Sequence, residues 1–77
     1  MTPRKLESLR KVFEHRITSM LEDGYVEMHY TDMTYFIFAK LQHRANGNIV
    51  TLTAFPQADR MMQKTNGRVV YDGPIQG

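Results

Sequence analysis

Residues 34–55 have the pattern of two β-strands joined by a tight turn, and this hairpin constrains the fold more than any other stretch of the chain. Asn46-Gly47 is the dipeptide most typical of a two-residue hairpin loop, because both central residues of a type I′ turn need positive φ. Such a loop sets the register of the whole ladder. It pairs Ala45 with Asn48, His43 with Val50, Leu41 with Leu52, Ala39 with Ala54, and Phe38 with Phe55.

The alternation of side chains along this hairpin separates two chemically different faces. One face carries Tyr35, Ile37, Ala39, Leu41, His43, Val50, Leu52 and Ala54. The other carries Phe36, Phe38, Lys40, Gln42, Ile49, Thr51, Thr53 and Phe55. The first face is largely aliphatic, and it is the natural surface to pack against a helix.

An amphipathic helix is predicted over residues 3–22. Thr2 and Pro3 suit the N-cap and first helical positions. Gly24 suits the left-handed residue that follows a helix. Apolar residues at spacings of three and four form one stripe, which predicts the face that is buried. The stripe consists of Leu6, Leu9, Phe13, Ile17 and Met20, with Val12 and Leu21 at its edges.

The rest of the chain predicts more strands. Residues 25–30 alternate as a first strand, and residues 31–33 are expected to form a turn. Pro56 ends the third strand, because proline has no N–H to donate to the hydrogen bonds between strands. Residues 57–64 are compatible with a short helix, but a second hairpin turning at Asn66-Gly67 is favoured. That hairpin pairs Thr65 with Arg68, Gln63 with Val70 and Met62 with Tyr71.

These elements predict one α+β domain over residues 1–77. One N-terminal helix packs on an antiparallel sheet of three to five strands, in the order α-β-β-β-(β-β). Residues 74–77 are expected to fray. A chain of 77 residues with no cysteine has a small core and no disulfide to support it, so a homodimer is expected.

Charge and hydropathy bound the cellular context. No apolar run approaches the roughly 20 residues of a membrane span, and no apolar segment follows the charged N-terminus, so a cytoplasmic protein without membrane contact is expected. The net charge is +2. Only acids occur in the charged positions of residues 22–32, whereas basic residues dominate from Lys40 onward. This pattern favours a solvated surface, with steering of a charged partner as the alternative.

Catalytic motifs are sparse. No cysteine is present, and the two serines lie in the predicted helix without a nucleophile-elbow sequence. His15, His29 and His43 lack the spacing of metal ligands, so no metal or cofactor is expected. A small endoribonuclease remains an alternative, with His29 or His43 as acid or base beside Arg44, Arg60 and Tyr71. The sequence favours binding over catalysis.

The aromatic face of the hairpin needs a cover, and three are possible. The C-terminal hairpin can fold over it as a second layer, which is the simplest option. A second subunit can cover it, since large exposed apolar patches mark interfaces. The face can also stay open and stack nucleic-acid bases.

We therefore expect a small regulator or inhibitor that docks on another protein, of the kind encoded as accessory proteins by mobile elements. The anchors expected for this function are Phe36, Phe38, Phe55, Met61 and Met62, with Lys40 and Arg60 at the rim. The alternative function is nucleic-acid binding, with phosphates contacted by Lys40, Arg44, Arg60, Lys64 and Arg68. The acidic residues 22–32 argue against this alternative unless they lie away from the binding surface.

Overall fold

A computed structural model describes residues 3–33 and 35–75, and it contains one helix followed by five strands. The elements are α1 (Pro3–Glu22), β1 (Tyr25–Asp32), β2 (Ile37–His43), β3 (Ile49–Phe55), a 3₁₀ turn (Pro56–Ala58), β4 (Arg60–Thr65) and β5 (Arg68–Gly73). The strands form one sheet in chain order, and each pairs antiparallel with its neighbours in sequence. The predicted α+β fold is confirmed, and the sheet has five strands, the upper end of the predicted three to five.

Helix α1 covers one face of the sheet and buries the predicted stripe against it. The core consists of Leu9, Phe13, Ile17, Ile37, Ala39, Leu41, Val50, Leu52, Ala54, Met61 and Ile75. The helix ends at Glu22 as predicted, and Gly24 takes a φ of 102° just after it. Thr2, the predicted N-cap, and the side chain of Leu6 lie outside the described residues. No described helix is long and apolar enough to cross a membrane.

The first Asn-Gly hairpin has a wider loop than the two-residue turn predicted. His43 N–H donates to the Asn48 carbonyl (2.9 Å), and only Gly47 of the dipeptide has positive φ, at 73°. The Asn46 side chain instead accepts the Asn48 amide (2.9 Å), which stabilises a four-residue loop. The predicted register is therefore wrong by two residues, because Leu41 pairs with Val50 instead of Leu52. A shift of two keeps every side chain on its predicted face.

The second Asn-Gly hairpin has the predicted two-residue turn. Asn66 and Gly67 have φ of 51° and 84°, and Thr65 pairs with Arg68. Beyond the turn a β-bulge leaves Val70 without an opposite residue, so the predicted pairs of Gln63 with Val70 and Met62 with Tyr71 are wrong. Gln63 pairs with Tyr71, and Met62 pairs with Asp72. Residues 60–65 are strand, so the helical alternative is wrong for them, and only Pro56–Ala58 is helical, as a single 3₁₀ turn.

Strand β1 is two residues longer than predicted, and the expected turn at residues 31–33 begins only at Met33. A hydrogen bond from Met33 N–H to the Phe36 carbonyl (2.8 Å) closes that turn. A second β-bulge at Met28 interrupts the pairing with β2. It places Tyr30 on the helix side of the sheet and His29 on the opposite side, which a strict alternation does not predict.

The C-terminal residues contradict two further predictions. Strands β4 and β5 extend the same sheet, so they do not cover the aromatic face as a second layer. Fraying is wrong for Ile75, which is 3% exposed in the core, whereas residues 76–77 of the predicted tail lie outside the described residues. Its N–H donates to a carboxylate oxygen of Asp59 (3.1 Å). Asp59 is held at a left-handed φ of 51° after the 3₁₀ turn.

Two cations of α1 make contacts with the sheet. Arg10 forms an ion pair with Asp32 (2.6 Å). Arg16 donates to the Gln63 side chain (3.3 Å), and its guanidinium lies 5.5 Å from the Tyr71 ring centre. These contacts engage both cations on the helix side of the molecule.

We expect the contribution of Tyr30 to the free energy of unfolding to be lost at alkaline pH. Burial raises the pKa of its phenol above the usual 10.0, and the carboxylates of Asp32 and Glu14 raise it further. The folded pKa is higher than the unfolded one. The contribution to stability is therefore complete below the unfolded pKa and is lost as the pH rises through the folded pKa. The measurement is a pH titration of tyrosinate absorbance in the wild type and in Tyr30→Phe. The difference between the two curves should show a phenol that titrates above its usual pKa. A difference curve centred below pH 10 would contradict the assignment.

Candidate functional site

The sheet face opposite α1 is covered by none of the described residues, and we call it the open face. Strand pairing arranges its central side chains in two rows that run across the strands. One row is Thr31, Phe38, Thr53, Met62 and Asp72. The next is His29, Lys40, Thr51, Lys64 and Val69. Neighbouring rows on one face are two residues apart along each strand, which is about 7 Å.

Aromatic side chains occupy one end of the open face. The ring centres of Phe36 and Phe55 lie 6.4 Å apart, and that of Phe38 lies 5.9 Å from the His29 ring. Phe36 and Phe38 are half-buried, whereas Phe55 is 43% exposed. The predicted neighbourhood of Phe36 and Phe55 is therefore present, whereas Phe38 pairs with Thr53 instead of Phe55, and its ring contact is with His29.

Two lysines lie in the middle of the open face. Lys40 on β2 and Lys64 on β4 both pair with Thr51 on the central strand, so their Cα atoms are about 10 Å apart. Both lysine side chains are exposed. His29 is the neighbour of Lys40 in the same row. Lys40 thus lies beside the aromatic end, two residues along β2 from Phe38, and its predicted place at the rim of an apolar binding patch stays a prediction.

Carboxylates are nearly absent from this face. Asp72 is the one acid that strand pairing places there among the described residues, and it forms an ion pair with Arg60 (2.8 Å). Glu27 pairs with the core residue Leu41 and so belongs to the helix side. Asp32 is also on that side, bonded to Arg10. The described part of the open face therefore has a net positive charge, and the strand acids of the 22–32 segment, Glu27 and Asp32, lie on the other side of the sheet.

The structure separates the predicted site residues into two groups. Phe36, Phe38, Phe55, Met62, Lys40, Lys64 and Arg60 lie on the open face or at its aromatic end. Met61 does not, because it is 1% exposed in the core, so its assignment as a surface anchor is corrected. Arg44 lies in the β2–β3 loop, beside Gln42 and Val26 at the far end of the face. Arg68 pairs with Thr65, which pairs with the core residue Val50, so Arg68 lies on the helix side of the sheet and away from the lysines.

The residues of the ribonuclease alternative are divided between the two sides of the sheet. His29 and Arg60 lie on the open side, and a ring nitrogen of His29 is 2.7 Å from the Thr31 hydroxyl. His43 is on the helix side, where Nε2 lies 3.1 Å from the Asp23 carbonyl and Nδ1 accepts the Ala45 N–H (3.1 Å). Its two ring nitrogens thus join the helix end to the β2–β3 loop. Within residues 3–33 and 35–75, no three acidic or histidine side chains cluster as metal ligands would.

Sequence reasoning did not place two residues of the site, His29 and Asp72, on the open face. Strict alternation would place each of them on the other side, and the bulges at Met28 and Val70 reverse that assignment. A bulge leaves no clear mark in the hydrophobic pattern of an edge strand, because such a strand is exposed on much of its surface.

Comparison of the chain with protein-family models, with curated proteins and with solved structures gives no significant match.

Proposed function

We propose that this chain is a non-enzymatic binding protein whose open face binds single-stranded nucleic acid. The observation that carries the proposal is the lysine row beside the aromatic end, on a face where the single carboxylate among the described residues is already paired with Arg60. Lysines attract phosphates, and phenyl rings stack on bases of any sequence. A single strand lying across the sheet along the lysine row would turn its bases toward Phe38 and Phe36.

The position of the lysines favours a polyanion over a protein as the partner. Lysine is depleted in the buried centre of protein interfaces, whereas Lys40 and Lys64 flank the central strand. Two copies packed face to face would bring these positive rows together, which costs energy. The homodimer expected from the short chain stays a prediction, and it would need another surface.

A docking protein is the second candidate, and the exposed aromatic end favours it. Phe55 is 43% exposed and Met62 is half-buried, so both can contact an apolar partner. Aromatic and methionine side chains are enriched at interfaces, and methionine adapts to different partners. In this reading the chain is a regulator or inhibitor, and the two lysines would meet carboxylates.

The test is a fluorescence-anisotropy titration with labelled oligothymidine and oligouridine of about 16 nucleotides and a duplex of equal length. We expect a Kd on the order of 10 µM for the single strands at about 50 mM salt, and weaker binding to the duplex, whose bases cannot stack on the sheet. Two phosphate contacts predict a log-log salt slope of about −1.4.

Absence of binding at low salt would refute the nucleic-acid proposal and leave the docking protein. Binding with no salt dependence would also contradict it, because the lysines would then have no part. Tighter binding to the duplex than to the single strands would refute the stacking geometry.

A further inference from the structure

An apolar cleft opens at the aromatic end of the sheet, between the end of β3 and the start of β4. It has a volume of about 290 Å³, and its lining comprises Phe55, Ala58, Arg60, Met61, Met62 and Asp72. Four of these side chains are apolar, and the other two form the ion pair of the open face. The cleft therefore combines apolar side chains with one cation, Arg60, and one anion, Asp72, which are paired with each other.

The ion pair leaves hydrogen-bonding capacity at the cleft. It is a single contact of 2.8 Å between Nη2 of Arg60 and Oδ1 of Asp72. The side chains are 56% and 47% exposed. A guanidinium has five N–H donors, and a carboxylate has about four acceptor sites, so both groups can bind a further planar ligand.

Guanine fits this pair of groups better than the other bases. It has two adjacent acceptors, O6 and N7, which match an arginine, and donor hydrogens at N1 and N2, which match a carboxylate. Thymine and uracil lack the N2 amino donor. Adenine has an acceptor and a donor where guanine has its acceptor pair. The remaining base, cytosine, has an acceptor pair, N3 and O2, for the arginine, but it offers the carboxylate only its N4 amino group, whereas guanine offers donors on two adjacent atoms.

We propose that this cleft holds one unstacked base of a bound single strand and selects guanine through Arg60 and Asp72. The inference rests on the proposed function and adds a base-specific subsite to it. The apolar side chains of the lining contact a face of the base, while the ion pair contacts its edge. Sequence preference is then confined to one nucleotide, and the lysine row binds the rest of the strand without preference.

The experiment compares oligothymidine with the same strand carrying one central guanine, adenine or cytosine. We expect the guanine strand to bind about tenfold tighter than oligothymidine, the order of discrimination that one well-paired base edge provides. In Asp72→Asn and in Arg60→Gln, the ratio of the two Kd values should fall towards one. Lys11→Gln on the exposed side of α1 is the matched control and should keep the ratio.

Each outcome bears on a different claim. Equal binding of all four strands by the wild type overturns the guanine subsite and leaves single-strand binding intact. A guanine preference that survives in both variants overturns the assignment to this cleft. No binding of any strand refutes the proposed function itself. Because the Arg60–Asp72 pair is exposed, its loss should cost little stability, and a denaturation curve of each variant checks this.

Discussion

Phe13→Ala should lower the free energy of unfolding by about 3 to 5 kcal/mol, the largest loss expected for a single substitution in this core. Phe13 is 0% exposed and is the largest fully buried side chain of the core between α1 and the sheet. Its truncation removes apolar contacts and leaves a cavity in a single thin layer. A domain of 77 residues has a total stability of about 4 to 12 kcal/mol, so the loss is a major part of it.

The measurement is urea denaturation of wild type and variant, followed by circular dichroism and extrapolated linearly to water. Phe38→Ala is the matched control, because it makes the same chemical change on the opposite face of the sheet. The Phe38 ring is already partly in water, so its loss should cost only about 1 kcal/mol. Equal destabilisation by the two variants would contradict the one-layer core and would mean that something covers the open face.

The contrast between these two phenylalanines could be predicted from the sequence. Helical spacing placed Phe13 in the stripe, and strand alternation placed Phe38 opposite the aliphatic face. Both patterns have a period that is set by backbone geometry, and they do not depend on the details of a turn. The faces of β2 and β3 are therefore as predicted, even though their register is shifted by two residues.

What the sequence could not predict depends on interactions between elements. The loop after β2 is wider because its amides have other partners: Arg44 N–H donates to the Gly24 carbonyl, and Ala45 N–H donates to His43. The Gly24 carbonyl reaches Arg44 only when β1 pairs with β2, which brings Tyr25 opposite His43. The bulges at Met28 and Val70 likewise depend on the pairing of edge strands. Together they decide that His29 and Asp72 belong to the open face.

The acidic residues show how placement in the fold changes a functional interpretation. In the sequence, residues 22–32 lie between basic segments and argue against nucleic-acid binding. In the fold, Glu27 and Asp32 lie on the helix side, and Asp32 bonds to Arg10. The linear charge pattern is therefore a poor guide to the charge of a face, because a sheet sorts neighbouring residues to opposite sides.

Reversal of both central charges, Lys40→Glu with Lys64→Glu, should abolish single-strand binding. Each substitution removes a phosphate contact and puts a carboxylate beside the strand. We expect Kd at about 50 mM salt to rise on the order of 100-fold, and the salt slope of about −1.4 to vanish. Both side chains are exposed and unpaired in the described part of the chain, so the fold should be retained.

The matched control reverses two charges that lie off the open face, Lys11→Glu with Arg68→Glu. Both double variants have the same net charge, so they separate the charge of the face from the charge of the whole molecule. If binding depends on the lysine row, the control variant keeps the contacts of Lys40 and Lys64 with phosphates. Its affinity then falls only a few-fold, because the long-range attraction is weaker. If the two double variants lose the same affinity, the attraction is diffuse, and the open face has no particular role. Circular dichroism of both variants confirms that any loss of binding occurs in a folded protein.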